Sequence, residues 1–190
     1  MTKYVAFLRA INVGGHMVRM ERLRELFVKM KFGNVETFIN SGNVIFDSPA
    51  KNTAALEKKI EQTLEKALGY PVATYLRTPA ELVAVTHHKP FSERELKADG
   101  NLLYVSFLAN SPDDDACTRL MKLRSPVHDF HVHGREVYFL RRTKVGESDY
   151  SGAKMEKALG CQSTMRNLNT VERLAKKYAR YKVSSFDFAH

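Results

Sequence analysis

Apolar residues recur along the chain with two alternating periods. Met20, Leu23, Leu26, Phe27 and Met30 repeat at three- and four-residue spacing, the signature of one buried helix face. Before them, Lys3 to Ile11 is a strand-like apolar run broken by Arg9. After them, Val35 to Asn40 and Val44 to Phe46 read as two strands joined by a Ser41-Gly42 turn. Gly33 is placed to stop the first helix. A second helix suits Thr53 to Leu68, closed by Gly69, and Val72 to Arg77 is a fourth strand. Residues 1–77 therefore spell β-α-β-β-α-β.

Thr78-Pro79-Ala80-Glu81 combines a capping residue, a first-turn proline and a capping-box acid, so a short helix runs from there to about His88. Residues 78–100 form this helix and a polar linker. The same order then returns. Leu102 to Leu108 is a strand, and Ser111 to about Leu123 is a helix with acids in its first turn. Val127 to His133 and Glu136 to Arg142 make a hairpin around Gly134. Ser151 to Leu159 is a helix stopped by Gly160, and Gln162 to Met165 is a last strand. A final helix begins at Asn167 or Asn169.

The two halves also share letters. Tyr4-Val5-Ala6-Phe7-Leu8 matches Tyr104-Val105-Ser106-Phe107-Leu108, and Val44-Ile45-Phe46 matches Val137-Tyr138-Phe139. The fold class is α+β: two ferredoxin-like halves related by duplication, residues 1–77 and 101–166, with a basic C-terminal helix and tail over 167–190. The first strand is apolar on both faces, as is its repeat at 102–108. Such sheets are covered on both sides. That argues against an RNA-recognition motif, which needs an exposed sheet carrying stacking aromatics.

Composition adds bounds. The chain has 190 residues, of which 44% are hydrophobic and 27% charged, as in ordinary globular proteins. No apolar run reaches the roughly 18 residues of a membrane span, and the N-terminus does not read as a signal peptide. Two cysteines, Cys117 and Cys161, make no disulfide framework, which places the protein in a reducing cytoplasm. The net charge is +9. From Ser163 onward, six basic residues face two acidic ones. This surplus suits an acidic partner, and equally a solvated basic helix face.

Four stretches are distinctive together: Phe7-Leu8-Arg9-Ala10-Ile11-Asn12-Val13-Gly14-Gly15-His16, Asn34 to Ile39, Ser41-Gly42-Asn43-Val44-Ile45-Phe46, and Thr164-Met165-Arg166-Asn167. On these the chain resembles the bacterial domain of unknown function 1697 family over nearly all its length. The resemblance implies paired ferredoxin-like subdomains and no established reaction. Leu168 stands where many members carry tryptophan, and the Met17-Val18-Arg19 segment is shorter than in some.

The resemblance also selects site candidates. The Gly14-Gly15 loop joins a strand to a helix, where glycines admit positive φ and the close approach of an anion. It is neither G-x-G-x-x-G nor a Walker loop, so no cofactor is implied. Arg9 adds a guanidinium near the strand end. Ser41 and Asn43 sit at a hairpin turn. Arg166 is either a fork for an anion or half of a buried ion pair. The expectation is an anionic small ligand, a nucleotide or other phosphorylated compound, held by Arg9, Asn12, Gly14, Gly15, Ser41, Asn43, Thr164, Arg166 and Asn167. An enzyme at the same cleft would need a base, for which His16 is the nearest choice. Nucleic-acid binding through the basic C-terminal helix is the remaining class. His131 and His133 read as solvent-facing hairpin residues, Cys117 as core, and no metal set is expected.

Overall fold

A computed structural model describes residues 1–12, 15, 17–147 and 150–179. The first half comprises β1 (Thr2–Leu8), α1 (Met20–Lys29), β2 (Gly33–Thr37), β3 (Asn43–Ser48), α2 (Thr53–Leu68) and β4 (Thr74–Arg77). Two helices follow, α3 (Pro79–His87) and α4 (Glu93–Lys97). The second half comprises β5 (Asn101–Phe107), α5 (Asp114–Met121), β6 (His128–His133), β7 (Glu136–Arg142), α6 (Gly152–Leu159) and β8 (Thr164–Asn167), and α7 (Leu168–Tyr178) closes the described chain. The sheets run β2-β3-β1-β4 and β6-β7-β5-β8, with antiparallel pairing throughout the described residues. Both are the ferredoxin-like order, so the duplication read from the sequence is the architecture.

Alternation decides what each face meets. Tyr4, Ala6 and Leu8 pack with Leu23, Phe27, Ile60 and Leu64 of α1 and α2. Val5 and Phe7 point the other way, into a core shared with Val105 and Phe107 of the second sheet and with α3 and α7. At its centre the Phe7 and Phe107 rings stack 4.0 Å apart and nearly parallel. The outer face of the second sheet, with Phe130, Val137 and Phe139, is covered by Leu120, Met155 and Leu159 of α5 and α6. Both sheets are thus covered on both faces, which leaves no open platform for stacking bases.

Boundaries differ from expectation where φ changes sign. β1 stops at Leu8, because Ala10 and Asn12 turn to φ of 60° and 58°. Helix α1 ends before Gly33: Lys31, at φ 65°, makes the left-handed turn, and Gly33 opens β2 instead. The 78–100 linker holds a five-residue helix closed by a Ser92–Glu95 capping box. The last strand starts two residues later than its pattern indicated. Asn167 caps α7 by accepting the Asn169 N–H at 2.9 Å. Cys117 is only half-buried, and Cys161 is exposed.

Candidate functional site

Two arginines lock the halves together in matching fashion. Arg77 ends β4 and crosses to the second half. Its Nε donates to Glu136 Oε1 at 2.7 Å, and its Nη2 donates to the carbonyls of Leu108 and Arg135. Arg166 in β8 crosses the opposite way. Its Nε donates to Asn43 Oδ1 at 2.7 Å, and its Nη2 donates to the carbonyls of Leu8 and Gly42. Each Nη1 donates to the carbonyl of the preceding residue, Leu76 or Met165. Arg77 lies over the Phe107 ring, and Arg166 over the Phe7 ring.

The register explains the match. Phe7 stands opposite Asn43 and Tyr75, and Phe107 opposite Glu136 and Thr164. Arg77 and Arg166 are therefore equivalent positions, as are Glu136 and Asn43. The chemistry differs. Arg77 has a carboxylate partner. Arg166 has neutral partners only, with Thr164 Oγ1 taking its fifth N–H. It is 8% exposed, and burial without a counter-charge pushes its pKa down to about 10.

Above Arg166 opens a cleft of about 790 Å³ between the β1 end, the Asn40–Ser41 turn, the start of α6 and β8. Arg9, Asn12, Ser41, Thr164 and Arg166 line it. The sequence-flagged residues from three distant stretches therefore do meet. Asn43, fully buried, sits beneath and holds Arg166. Its Nδ2 donates to Phe38 O and Ser41 Oγ, which fixes the amide orientation. Asn12 ties the two loops, donating to Asn40 O and accepting the Val18 N–H. Asn167 and Gly15 are not among the lining residues, and Asn167 acts as a helix cap. Gly14 and His16 lie outside the described residues.

The cleft walls are strained. Ala10 and Asn12 in the wall, at φ 60° and 58°, and Ile39 just before the lining Asn40, at 52°, are three of the five non-glycine positive-φ residues among those described. Such strain costs on the order of 1–3 kcal/mol per residue and collects at functional sites. Gly42, at φ +69°, presses on Ile11: a Cβ there would come within 2.9 Å of the Ile11 Cβ. This glycine is required by both conformation and space.

Sequence reasoning missed Glu156 and Ser163. Glu156 on α6 takes the Arg9 fork at 3.0 and 3.1 Å and accepts the Ser163 N–H at 2.8 Å. That fork raises the Arg9 pKa. Among the described residues Arg9 Nη1 has no hydrogen-bond partner, and the side chain is about a third exposed. Glu156 also has an equivalent. Glu61 on α2 accepts the Thr74 N–H at 2.8 Å, and Thr74 corresponds to Ser163. The missing signal was the repeat itself. Extending the Val44–Val137 match by one residue pairs Asn43 with Glu136.

The two equivalent junctions carry opposite charge. The cleft has Arg9 and Arg166 against Glu156. Its counterpart has Ala109 in place of Arg9, Arg135 in place of Gly42, and Glu57, Glu61 and Glu136 around Arg77. Counting Glu81 beside Arg135, it therefore holds two guanidiniums against four carboxyl groups, of which burial pushes the Glu57 carboxyl up. Arg135 is further paired with Glu81.

Other candidates form no second site. His88, His131 and His133 gather with ring centroids 5.1 and 4.0 Å from His88, so the hairpin histidines meet a neighbour and only His133 is exposed. Among the described residues no set of His, Cys, Asp or Glu is placed to hold a metal, and no helix is long and apolar enough to cross a membrane. The basic face of α7 is partly engaged: Lys177 donates to Glu36, and Arg173 lies over Phe38. Arg180 and Lys182 lie outside the described residues.

A duplicated, doubly covered ferredoxin-like pair whose two junctions differ in charge defines the class of protein. The chain belongs to the family described as protein of unknown function DUF1697, whose model matches residues 1–138. The match ends before β8, so Thr164–Asn167 falls beyond it. The fold is similar over most of the chain to that of the conserved bacterial protein SP0830 from Streptococcus pneumoniae. At 22% identity the likeness covers 95% of this chain and 99% of that one, with a TM-score of 0.71. Comparison with curated proteins gives no match.

Proposed function

We propose that the cleft between the halves binds an anionic small molecule, a phosphorylated compound such as a nucleotide being the leading class. The observation that carries this is the broken equivalence of the two arginine clasps. Glu136 neutralises Arg77, whereas Asn43 leaves Arg166 charged under a cleft that also holds an unfilled edge of Arg9. Arg166 acts as a fixed charge rather than a contact, because its N–H groups are all engaged by protein acceptors. Arg9 is the contact. A buried guanidinium with no carboxylate costs several kcal/mol. A ligand anion offsets that cost in a way that the neutral amide of Asn43 does not. The basic helix supports a nucleic-acid role less well, since two of its cations face protein partners.

The test is thermal stability against inorganic phosphate, nucleotides, sugar phosphates and short oligonucleotides, at constant ionic strength and again at high salt. A ligand at a hundred times its Kd adds about 2.7 kcal/mol. The expected result is a salt-tolerant shift from one small phosphate compound, lost in Arg9→Gln. A shift from oligonucleotides alone, erased by salt and intact in Arg9→Gln, overturns the reading.

A further inference from the structure

The duplication lets the first half act as a template for what is missing in the second. Thr74 and Ser163 are equivalent, and so are Leu76 and Met165. On the covering helices Glu61 matches Glu156, since each accepts the N–H of the strand residue at that place. Ile60 and Leu64 then match Met155 and Leu159, all buried. One turn back toward the N-terminus, the correspondence pairs Glu57 with Gly152.

That pair is where the halves part. β4 is an edge strand, and its Leu76 N–H points away from β1. Glu57 Oε1 accepts it at 2.8 Å. β8 is the equivalent edge, and its alternation turns the Met165 N–H outward in the same way. Here no carboxylate among the described residues accepts it. Gly152 has no side chain, and a Cβ built on it meets no atom within 4 Å. Gly152 and Met165 both line the cleft, beside Arg9. Arg9 itself has no counterpart, because Ala109 holds its place.

We infer that the oxyanion group of the ligand, carboxylate or phosphate, seats in the second half where the Glu57 carboxyl seats in the first, accepting the Met165 N–H with the free edge of Arg9 alongside. This rests on the anion-binding reading above and adds to it the position and the chemistry of the bound group. An uncovered edge-strand N–H is a directional donor aimed at one point. Arg9 supplies the charge. The first half needs no ligand because its own carboxyl fills the place.

The experiment is a pair of amide-resolved NMR titrations of the full chain, with acetate and with inorganic phosphate against chloride at constant ionic strength. The Met165 amide proton should move downfield with saturation, together with the Arg9 Nη1 protons. The anion giving the tighter curve identifies the ligand's group. Gly152→Glu should supply the carboxylate from the chain itself. Its Met165 amide should then sit near the shifted position without added anion, and its affinity for either anion should fall by about tenfold or more. If Arg9 responds and the Met165 amide stays still, this inference is overturned while anion binding stands. If no cleft signal moves with either anion, both fall. The wild-type titration decides alone should Gly152→Glu not fold.

Discussion

The two arginine clasps share geometry and differ in charge, so their removal should differ in a calculable way. Consider Arg166→Met and Arg77→Met, each keeping side-chain volume and losing every donor. In Arg166→Met the carbonyls of Leu8, Gly42 and Met165 and the Asn43 side chain lose a bond. The Gly42 carbonyl keeps the Leu8 N–H and the Leu8 carbonyl keeps the Thr164 hydroxyl, so the Asn43 amide oxygen and the Met165 carbonyl are the acceptors orphaned, at about 1–3 kcal/mol each. Against that, the guanidinium's own desolvation cost, several kcal/mol, disappears. Thr164 keeps a partner, its hydroxyl already lying 3.4 Å from Leu8 O. The net loss should be about 0–3 kcal/mol. Arg77→Met strands the same kind of carbonyls and leaves the Glu136 carboxylate unpaired beneath them. Removing one partner of a buried ion pair costs about 3–5 kcal/mol, so this variant should be the weaker of the two. Adding Glu136→Gln to Arg77→Met should return about 1–3 kcal/mol, because it removes the stranded charge. Urea unfolding at neutral pH, followed by circular dichroism, measures all three. The reasoning fails if Arg166→Met is as costly as Arg77→Met and Glu136→Gln gives no recovery.

The remaining predictions concern the shared core and the histidine cluster. Phe7→Ala and Phe107→Ala should each cost about 3–5 kcal/mol, lowering Tm by about 2–4 °C per kcal/mol in a chain of this length. Because each ring packs on the other, the double variant should lose less than the sum; calorimetry that finds full additivity would contradict the stack. Burial, and then the charges of His133 and His131, lowers the His88 pKa, and burial lowers that of His131. A depressed histidine leaves stability complete above the unfolded value of about 6.5 and removes it as pH falls below. The urea midpoint should therefore fall between about pH 7 and pH 5, and His88→Phe should flatten that slope.

Much of this fold was legible in alternation. Tyr4, Ala6 and Leu8 against Val5 and Phe7 gave two apolar faces, and each face finds its own core. The matched pentapeptides announced the repeat, and the Thr78–Glu81 capping box marked α3 correctly. Boundaries failed where a non-glycine residue took positive φ, as at Ala10, Asn12 and Lys31, because nothing in those letters demands it. The helix α4 was hidden by its length, although Ser92 and Glu95 carried its cap. At the site, the motif residues were visible, and most of them meet. The partners of Arg166 were not visible. A guanidinium buried on carbonyls depends on which strand ends face each other, and that is a matter of how two sheets pack. Glu156 and Gly152 became meaningful only once the register paired them with Glu61 and Glu57.

Because each clasp is anchored in one half and closed on the other, neither repeat is chemically complete alone. A fragment ending after β4 would carry a bare Arg77 and an Asn43 with no cation to hold, and a fragment beginning at β5 would expose Glu136 and Phe107. Two repeats therefore make a single unfolding event. Proteolytic nicking in the segment between α3 and β5 should leave a noncovalent complex that melts in one step rather than two independent lobes.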